Sequence, residues 1–185
     1  MTEPADLPYK LACLCDLRDT RGRLLLIERR KAPNQGLCSP IGGKLDTATG
    51  ESPHQCARRE IWEEAGIEVP IERLHLMGLI SERAFEGKGH WLMFYFRVLG
   101  AVEVPEREIP EGRLKWFEPG QIAELPLPET DRSVIWPLVG DHDHEHLGRA
   151  DAFRPGLPGL FAVHIDCRDD RLVWKVEQTG SVSQT

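Results

Sequence analysis

Gly42-Gly43-Lys44, Glu51-Ser52-Pro53 and Arg59-Glu60-Ile61-Trp62-Glu63-Glu64-Ala65-Gly66-Ile67 mark the stretch whose reading decides the fold. Its second half has the local signals of a helix. Ser52 can cap it, Pro53 suits the first helical position, and Gln55 completes a Ser-x-x-Gln capping box. The helix runs through Ala65, where Gly66 supplies the left-handed residue that ends it. With apolar residues recurring at helical spacing, Ala57, Ile61 and Ala65 form a stripe that docks on a sheet, while Glu60, Glu63 and Glu64 share the adjoining face. Three carboxylates so close repel one another and ask for a compensating cation. A hard divalent ion with oxygen ligands, Mg²⁺ or in its place Mn²⁺, answers that need. A solvated acidic face is the ordinary alternative, and the preceding Gly42-Gly43 turn weighs against it. Glycine leaves main-chain amides and carbonyls uncovered for phosphate or metal, and Lys44 adds a cation at the same place.

Outward from this stretch, Tyr9 to Asp16 and Arg23 to Glu28 are apolar runs around the turn Asp19-Thr20-Arg21-Gly22, which predicts a β-hairpin. A short strand leads into Ile41. Beyond the helix, Leu74 to Ser81 and His90 to Val98 read as strands, as does Lys115-Trp116-Phe117; Pro119 to Leu125 reads as a short helix. Pro128-Glu129-Thr130-Asp131 opens a second helix to about Val139, and two C-terminal strands, Phe161 to Cys167 and Leu172 to Glu177, form a hairpin. The expected organisation is one domain over residues 1–140 and an extension over 141–185 packed on it.

The 185 residues are 41% hydrophobic and 29% charged, which excludes an intrinsically disordered chain, and no apolar run is long enough to span a bilayer. The formal charge of -7 argues against a general nucleic-acid binder. Cys13, Cys15, Cys38, Cys56 and Cys167 contain no CxxC pair, so neither a zinc cage nor a disulfide framework is suggested, and a cytoplasmic location is expected. Cys13 and Cys15 face one side of their strand and read as small buried hydrophobes.

Glu51 and the run Arg59 to Ile67 resemble the Nudix box, G-x5-E-x7-R-E-U-x-E-E-x-G-U with U a bulky aliphatic. From Glu51 onward the match is complete; between Gly43 and Glu51 stand seven residues where the pattern has five, which reads as a two-residue insertion within Asp46 to Thr49. The resemblance extends from the first hairpin through Trp136, roughly three-quarters of the chain. It implies the Nudix α/β/α sandwich with a mixed sheet, here with a C-terminal β-hairpin extension, and Mg²⁺-dependent cleavage of a nucleoside diphosphate-X bond. It further implies that Glu60, Glu63 and Glu64 are metal ligands, with Glu60 also the base for water, that Gly42 offers its carbonyl to metal, and that Arg59 orients the glutamates, supported by Glu51.

Glu111, in Glu111-x4-Trp116-Phe117, is similar to the later metal-binding glutamate of MutT-type triphosphatases; Glu82, Glu86, Glu106 and Glu108 are its rivals. Arg30 resembles a phosphate-contacting arginine of that group, and Lys44 is a second candidate. Ser39 stands where a base-reading asparagine is found in the vertebrate 8-oxo-dGTPase, and Glu129 and Asp131 stand near its base-reading acids, with helix capping as their alternative role. The ADP-ribose, diadenosine and coenzyme A marks are absent, so the expected substrate is a nucleoside triphosphate, oxidised purine nucleotides included. An ADP-ribose, dinucleotide or nucleotide-sugar pyrophosphatase and a non-catalytic nucleotide-sensing regulator remain the alternatives. The expected partner is thus a small nucleotide, with no membrane or nucleic acid, and the sequence leaves the oligomeric state open. His142, His144 and His146 read as a solvated loop or a transition-metal site, and Trp91, Tyr95 and Trp116 as core or base-stacking aromatics.

Overall fold

The computed structural model describes residues 7–32, 34–144, 159–169 and 171–179. Among the described residues nine strands lie in the order β6-β7-β2-β3-β1-β5-β4-β8-β9. They are β1 (Tyr9–Asp16), β2 (Leu24–Arg29), β3 (Cys38–Lys44), β4 (Leu74–Phe85), β5 (Gly89–Val98), β6 (Arg107–Ile109), β7 (Gly112–Phe117), β8 (Phe161–Asp166) and β9 (Val173–Thr179). β1 runs parallel to β5 and β4 parallel to β8, while the remaining pairs are antiparallel, so the sheet is mixed.

The helices cover opposite faces. Helix α1 (Pro53–Glu60) and its continuation Ile61–Ala65 bury Cys56, Ala57, Ile61 and Ala65 in one cluster with Cys13, Cys15, Leu25, Ile27 and Phe96. Val134, Ile135 and Val139, from the turn Asp131–Ile135 and helix α2 (Trp136–His144), pack instead with Met77, Ile80, Tyr95 and Phe161. The result is the α/β/α sandwich that the resemblance implies. β8 completes the second layer: Gly78 has no Cβ, and the Phe161 ring occupies the place where one would stand.

The expected hairpin closes only at its turn. Past the end of β1, Arg18 bridges Leu24 and Leu25 N–H donates to the Leu17 carbonyl at 3.0 Å, but β1 and β2 themselves do not pair, and β3 lies between them. The first half of β3 pairs with β2, as in Leu26 opposite Pro40, and its second half pairs with β1, as in Cys15 opposite Ile41. Both outer strands are mostly buried, and each needs a neighbour that the other, splaying from a tight turn, does not supply. β6, three residues with two exposed, has no apolar pattern to announce it and exists as the partner of β7.

The C-terminal residues differ from expectation as well. Helix α2 runs to His144, and His142 is buried within it, its Nδ1 2.8 Å from the Leu138 carbonyl and its ring 5.2 Å from that of Phe161. It is a packing residue. The side chain of His144 and all of His146 lie outside the described residues.

Candidate active site

Ser52 caps α1 as the sequence predicts, with Gln55 N–H donating to its hydroxyl at 3.2 Å and the Gln55 side-chain Oε1 accepting from Ser52 N–H at 2.8 Å. The last turn, Ile61–Ala65, widens to a π-type turn, and Gly66 ends it at φ 74°. Such turns re-aim side chains and are frequent at functional sites. The three glutamates accordingly do not stand alike. Glu60 and Glu64 are buried against β3, whereas Glu63 is half exposed.

Two glycines permit this approach. A Cβ on Gly43 would stand inside the Glu60 carboxylate and push it aside, while one on Gly42, at φ 152°, would strike the Cys13 carbonyl, so Gly42 requires glycine. Gly42, expected to serve through its carbonyl, contributes an N–H that donates to Glu64 Oε2 at 2.9 Å. Arg59 gathers the acids: its Nε and Nη2 donate to Glu51 at 2.8 and 2.9 Å, and its Nη1 donates to Glu60 at 2.6 Å and to Glu63 at 3.3 Å. Nη2 also donates to the Lys44 carbonyl at 3.0 Å, tying the helix to the end of β3.

The electrostatics follow from this arrangement. Arg59 holds the Glu51 carboxyl below the usual range. Burial pushes Glu60 up against the opposing pull of Arg59. Glu64 is pushed up to about 8, first by burial and then by the charges of Glu60 and Glu111, while the Gly42 N–H and Arg29 oppose. Glu111, between β6 and β7, is therefore near enough for its charge to reach Glu64. As the side chains stand, no three acidic, histidine or cysteine side chains among the described residues close into a ligand cage.

A cavity of about 210 Å³ opens beside the glycines, lined by Ser39, Gly42, Gly43, Lys44, Trp91 and Met93 among others. Glu82 and Asp131 form its polar wall with Thr130. Glu82 is 4% exposed, Asp131 is partly exposed into the cavity, and burial pushes each up to about 7, Asp131 further by the charge of Glu82. Asp131 is thus a cavity group. The buried Ser39 hydroxyl has no hydrogen-bond partner and faces the same space.

Three expected site residues are placed otherwise. Arg30 is exposed and paired with Glu108 at 2.6 Å; Arg29, at the end of β2, lines the cavity, because neighbouring residues of an extended chain point to opposite sides. Glu129 is exposed and lies off the cavity wall. Glu82, weighed from sequence only as a rival metal ligand, stands on the cavity wall. Of the three aromatics, Trp91 lines the cavity, Tyr95 is fully buried, and Trp116 donates its Nε1–H to the Val104 carbonyl at 2.9 Å on β7.

The wall acids make stability depend on pH. Unfolded, both carboxyls ionise near about 4; folded, they do so near about 7. Between these values the folded state binds more protons, so stability falls as pH rises. The double substitution Glu82→Gln, Asp131→Asn is expected to flatten that fall when urea midpoints are compared at pH 5 and pH 8. An equal loss in wild type and variant would show that other groups cause it.

The insertion ahead of Glu51 is a closed excursion. Asp46 N–H donates to Glu51 Oε2 at 2.8 Å and Glu51 N–H to the Asp46 carbonyl at 3.1 Å, so the loop ends are clamped while Thr47 to Gly50 are exposed. Shortening a flexible loop changes its closure entropy little. Deleting Ala48 and Thr49 is therefore expected to change kcat/KM by less than about tenfold, and complete loss in a folded variant would give the loop a substrate role.

Residues 8–136 match the NUDIX domain family. The chain is 31% identical over 122 residues to the oxidized purine nucleoside triphosphate hydrolase of Danio rerio, covering 64% of this chain and 72% of that protein. It is also 31% identical over 140 residues to the NAD-capped RNA hydrolase NudC of Stutzerimonas stutzeri, covering 74% of this chain but 46% of the relative. The crystal structure of the MutT protein from Bacillus halodurans superposes with a TM-score of 0.64 at 26% identity, over 91% of this chain and 97% of that one. With the box glutamates gathered by Arg59 beneath the two glycines, and the matched region spanning β1 to the start of α2, the chain belongs to the Nudix family of pyrophosphohydrolases.

Proposed function

We propose that this hydrolase cleaves nucleoside triphosphates, oxidised purine nucleotides among them, to the monophosphate and pyrophosphate in a divalent-cation-dependent reaction. One observation carries the reading: the cavity and the acid cluster share the two glycines. Gly42 and Gly43 line the cavity while Gly42 binds Glu64 and Gly43 abuts Glu60. A base lying along Trp91 would thus leave its phosphates over the glutamates, with Lys44 and Arg29 beside them. The likeness to a triphosphate hydrolase and to a MutT protein supports the same assignment.

Glu60 and Glu64 suit a hard cation: both are buried carboxylates raised by burial, with Glu63 and Glu111 beside them as further oxygen donors. Mg²⁺ held there would neutralise phosphate charge and make water a better nucleophile. Glu60 Oε1 is held by Arg59, which leaves Oε2 to accept the proton of the attacking water. Arg59 fixes Glu60 and Glu51 in place and so acts through them. At the other end of the substrate, Glu82, Asp131, Thr130 and Ser39 offer hydrogen bonds to the base edge. Five free cysteines, four of them buried, suit a reducing cytoplasm for this chemistry.

The test is a panel of nucleoside triphosphates, ADP-ribose, dinucleotides and nucleotide sugars with Mg²⁺ and product analysis. Triphosphates should show the highest kcat/KM; an ADP-ribose or dinucleotide value far above every triphosphate contradicts the substrate class. Ser39 offers a single hydroxyl and cannot make the two-point contact of an asparagine amide, whose donor and acceptor sit on separate atoms. Discrimination between 8-oxo-dGTP and dGTP is therefore expected to be on the order of 10-fold, about one hydrogen bond. A much stronger preference would keep the class and refute the role given to Ser39.

A further inference from the structure

Cys13 on β1 and Cys56 on α1 are both fully buried, and their Sγ atoms lie 3.2 Å apart. They are 43 residues apart in sequence and join the sheet to the helix that carries the acids. Neither thiol has a part in the hydrolysis derived above, yet the pair sits directly behind the site. Cys13 is the cross-strand partner of Gly43. The Cys56 thiol lies 3.6 Å from the Gly43 carbonyl and 3.6 Å from Arg59 Nη2. Cys15, two residues along β1, lies in the same buried cluster, whereas Cys38 packs in a separate cluster with Leu24 and Leu26 and Cys167 is partly exposed.

We infer that Cys13 and Cys56 are an oxidative modification site, closing to a disulfide under peroxide and thereby slowing the catalytic helix. Closing the pair requires the sulfurs to approach by only about 1 Å, to a bond of about 2.05 Å. The chemistry balances with hydrogen peroxide as oxidant. One thiol, as thiolate, attacks a peroxide oxygen to give a sulfenic acid and water; the second attacks that sulfur, forming the S–S bond and releasing a second water. Two thiols and one peroxide thus yield one disulfide and two waters. Burial makes this slower than at an exposed sensor thiol, so the reduced pair is the resting state. Once formed, the bond draws Cys56 away from Arg59 and the Gly43 carbonyl. Arg59 holds the Glu60 carboxylate, which fills the place a Cβ on Gly43 would take, so a shift of either residue moves Glu60.

The experiment treats the reduced full-length protein with hydrogen peroxide, alkylates the remaining thiols, and maps disulfide-linked peptides by mass spectrometry. A dithiothreitol-reversible Cys13–Cys56 bridge is expected, absent in Cys13→Ala and in Cys56→Ala. Closing a loop of this length should raise Tm by roughly 5–10 °C in the wild type alone. Triphosphate turnover should fall about tenfold on oxidation and return on reduction. The turnover arm rests on the proposed substrate; the bridge and the Tm do not, so failure of the substrate reading is distinguishable from failure of this one. A Cys13–Cys15 bridge, oxidation confined to Cys167, or alkylation of both thiols after peroxide would overturn the assignment. A bridge that leaves turnover of an active substrate unchanged would overturn its control of catalysis.

Discussion

Replacing Glu64 by Gln is expected to lower kcat by at least about 10²-fold while the protein stays folded, because a ligand to the charge-neutralising cation supplies several kcal/mol of transition-state stabilisation. Glu64 is buried, accepts from the Gly42 amide, and faces the charges of Glu60 and Glu111. Gln keeps the volume and can still accept from Gly42, so the fold has little reason to fail. The charge alone is removed. Glu63→Gln should act in the same direction, since Glu63 shares Arg59 with Glu60 and keeps a half-exposed carboxylate at the rim. Steady-state kinetics at saturating Mg²⁺ and a melting curve decide the matter. Normal Mg²⁺-dependent turnover in both single variants would remove these residues from the site.

Gly43→Ala is expected to have a comparable effect by a different route. Its new Cβ would occupy the space of the Glu60 carboxylate, the flexible end of a side chain, so Glu60 must turn aside. Displacing a catalytic group by about 1 Å costs on the order of 10²-fold in rate. The expected signature is a fall in kcat with little change in KM, since the cavity that receives the base remains lined by Trp91 and Met93. Gly42→Ala serves as the contrast. There the obstacle is the Cys13 backbone, which cannot turn away, and stability should suffer as well. A Gly43→Ala variant with wild-type kcat would show that Glu60 does not need its present position.

These expectations come from a part of the molecule that was largely legible in the sequence, for a physical reason. Ser52, Pro53, Gln55 and Gly66 specify the helix by contacts within a few residues, and the apolar stripe of Ala57, Ile61 and Ala65 dictates which face docks. What the local signals do not encode is pairing between distant strands. The turn after Asp16 looks like a hairpin, yet β3 enters between its arms because Ile41 and Pro40 bring it to both. The polar wall of the cavity was hidden for a similar reason. β4 continues past Ser81 to Phe85 with a register shift between Glu82 and Phe85, where Ala84 has φ 56°, so Glu82 belongs to a strand and meets Asp131 from the far end of the chain. Arg29 and Arg30 are equally basic in sequence. Only the direction of the strand end tells which one enters the cavity.

The central claim, that the box acids and the Trp91 cavity act together on one triphosphate, is tested most directly by following dGTP cleavage with and without Mg²⁺ in the wild type and in Glu64→Gln. The account predicts dGMP and pyrophosphate as products, at a rate abolished by chelation of the metal and reduced at least about 10²-fold by the substitution. Metal-independent turnover, or equal rates in the two proteins, would contradict it.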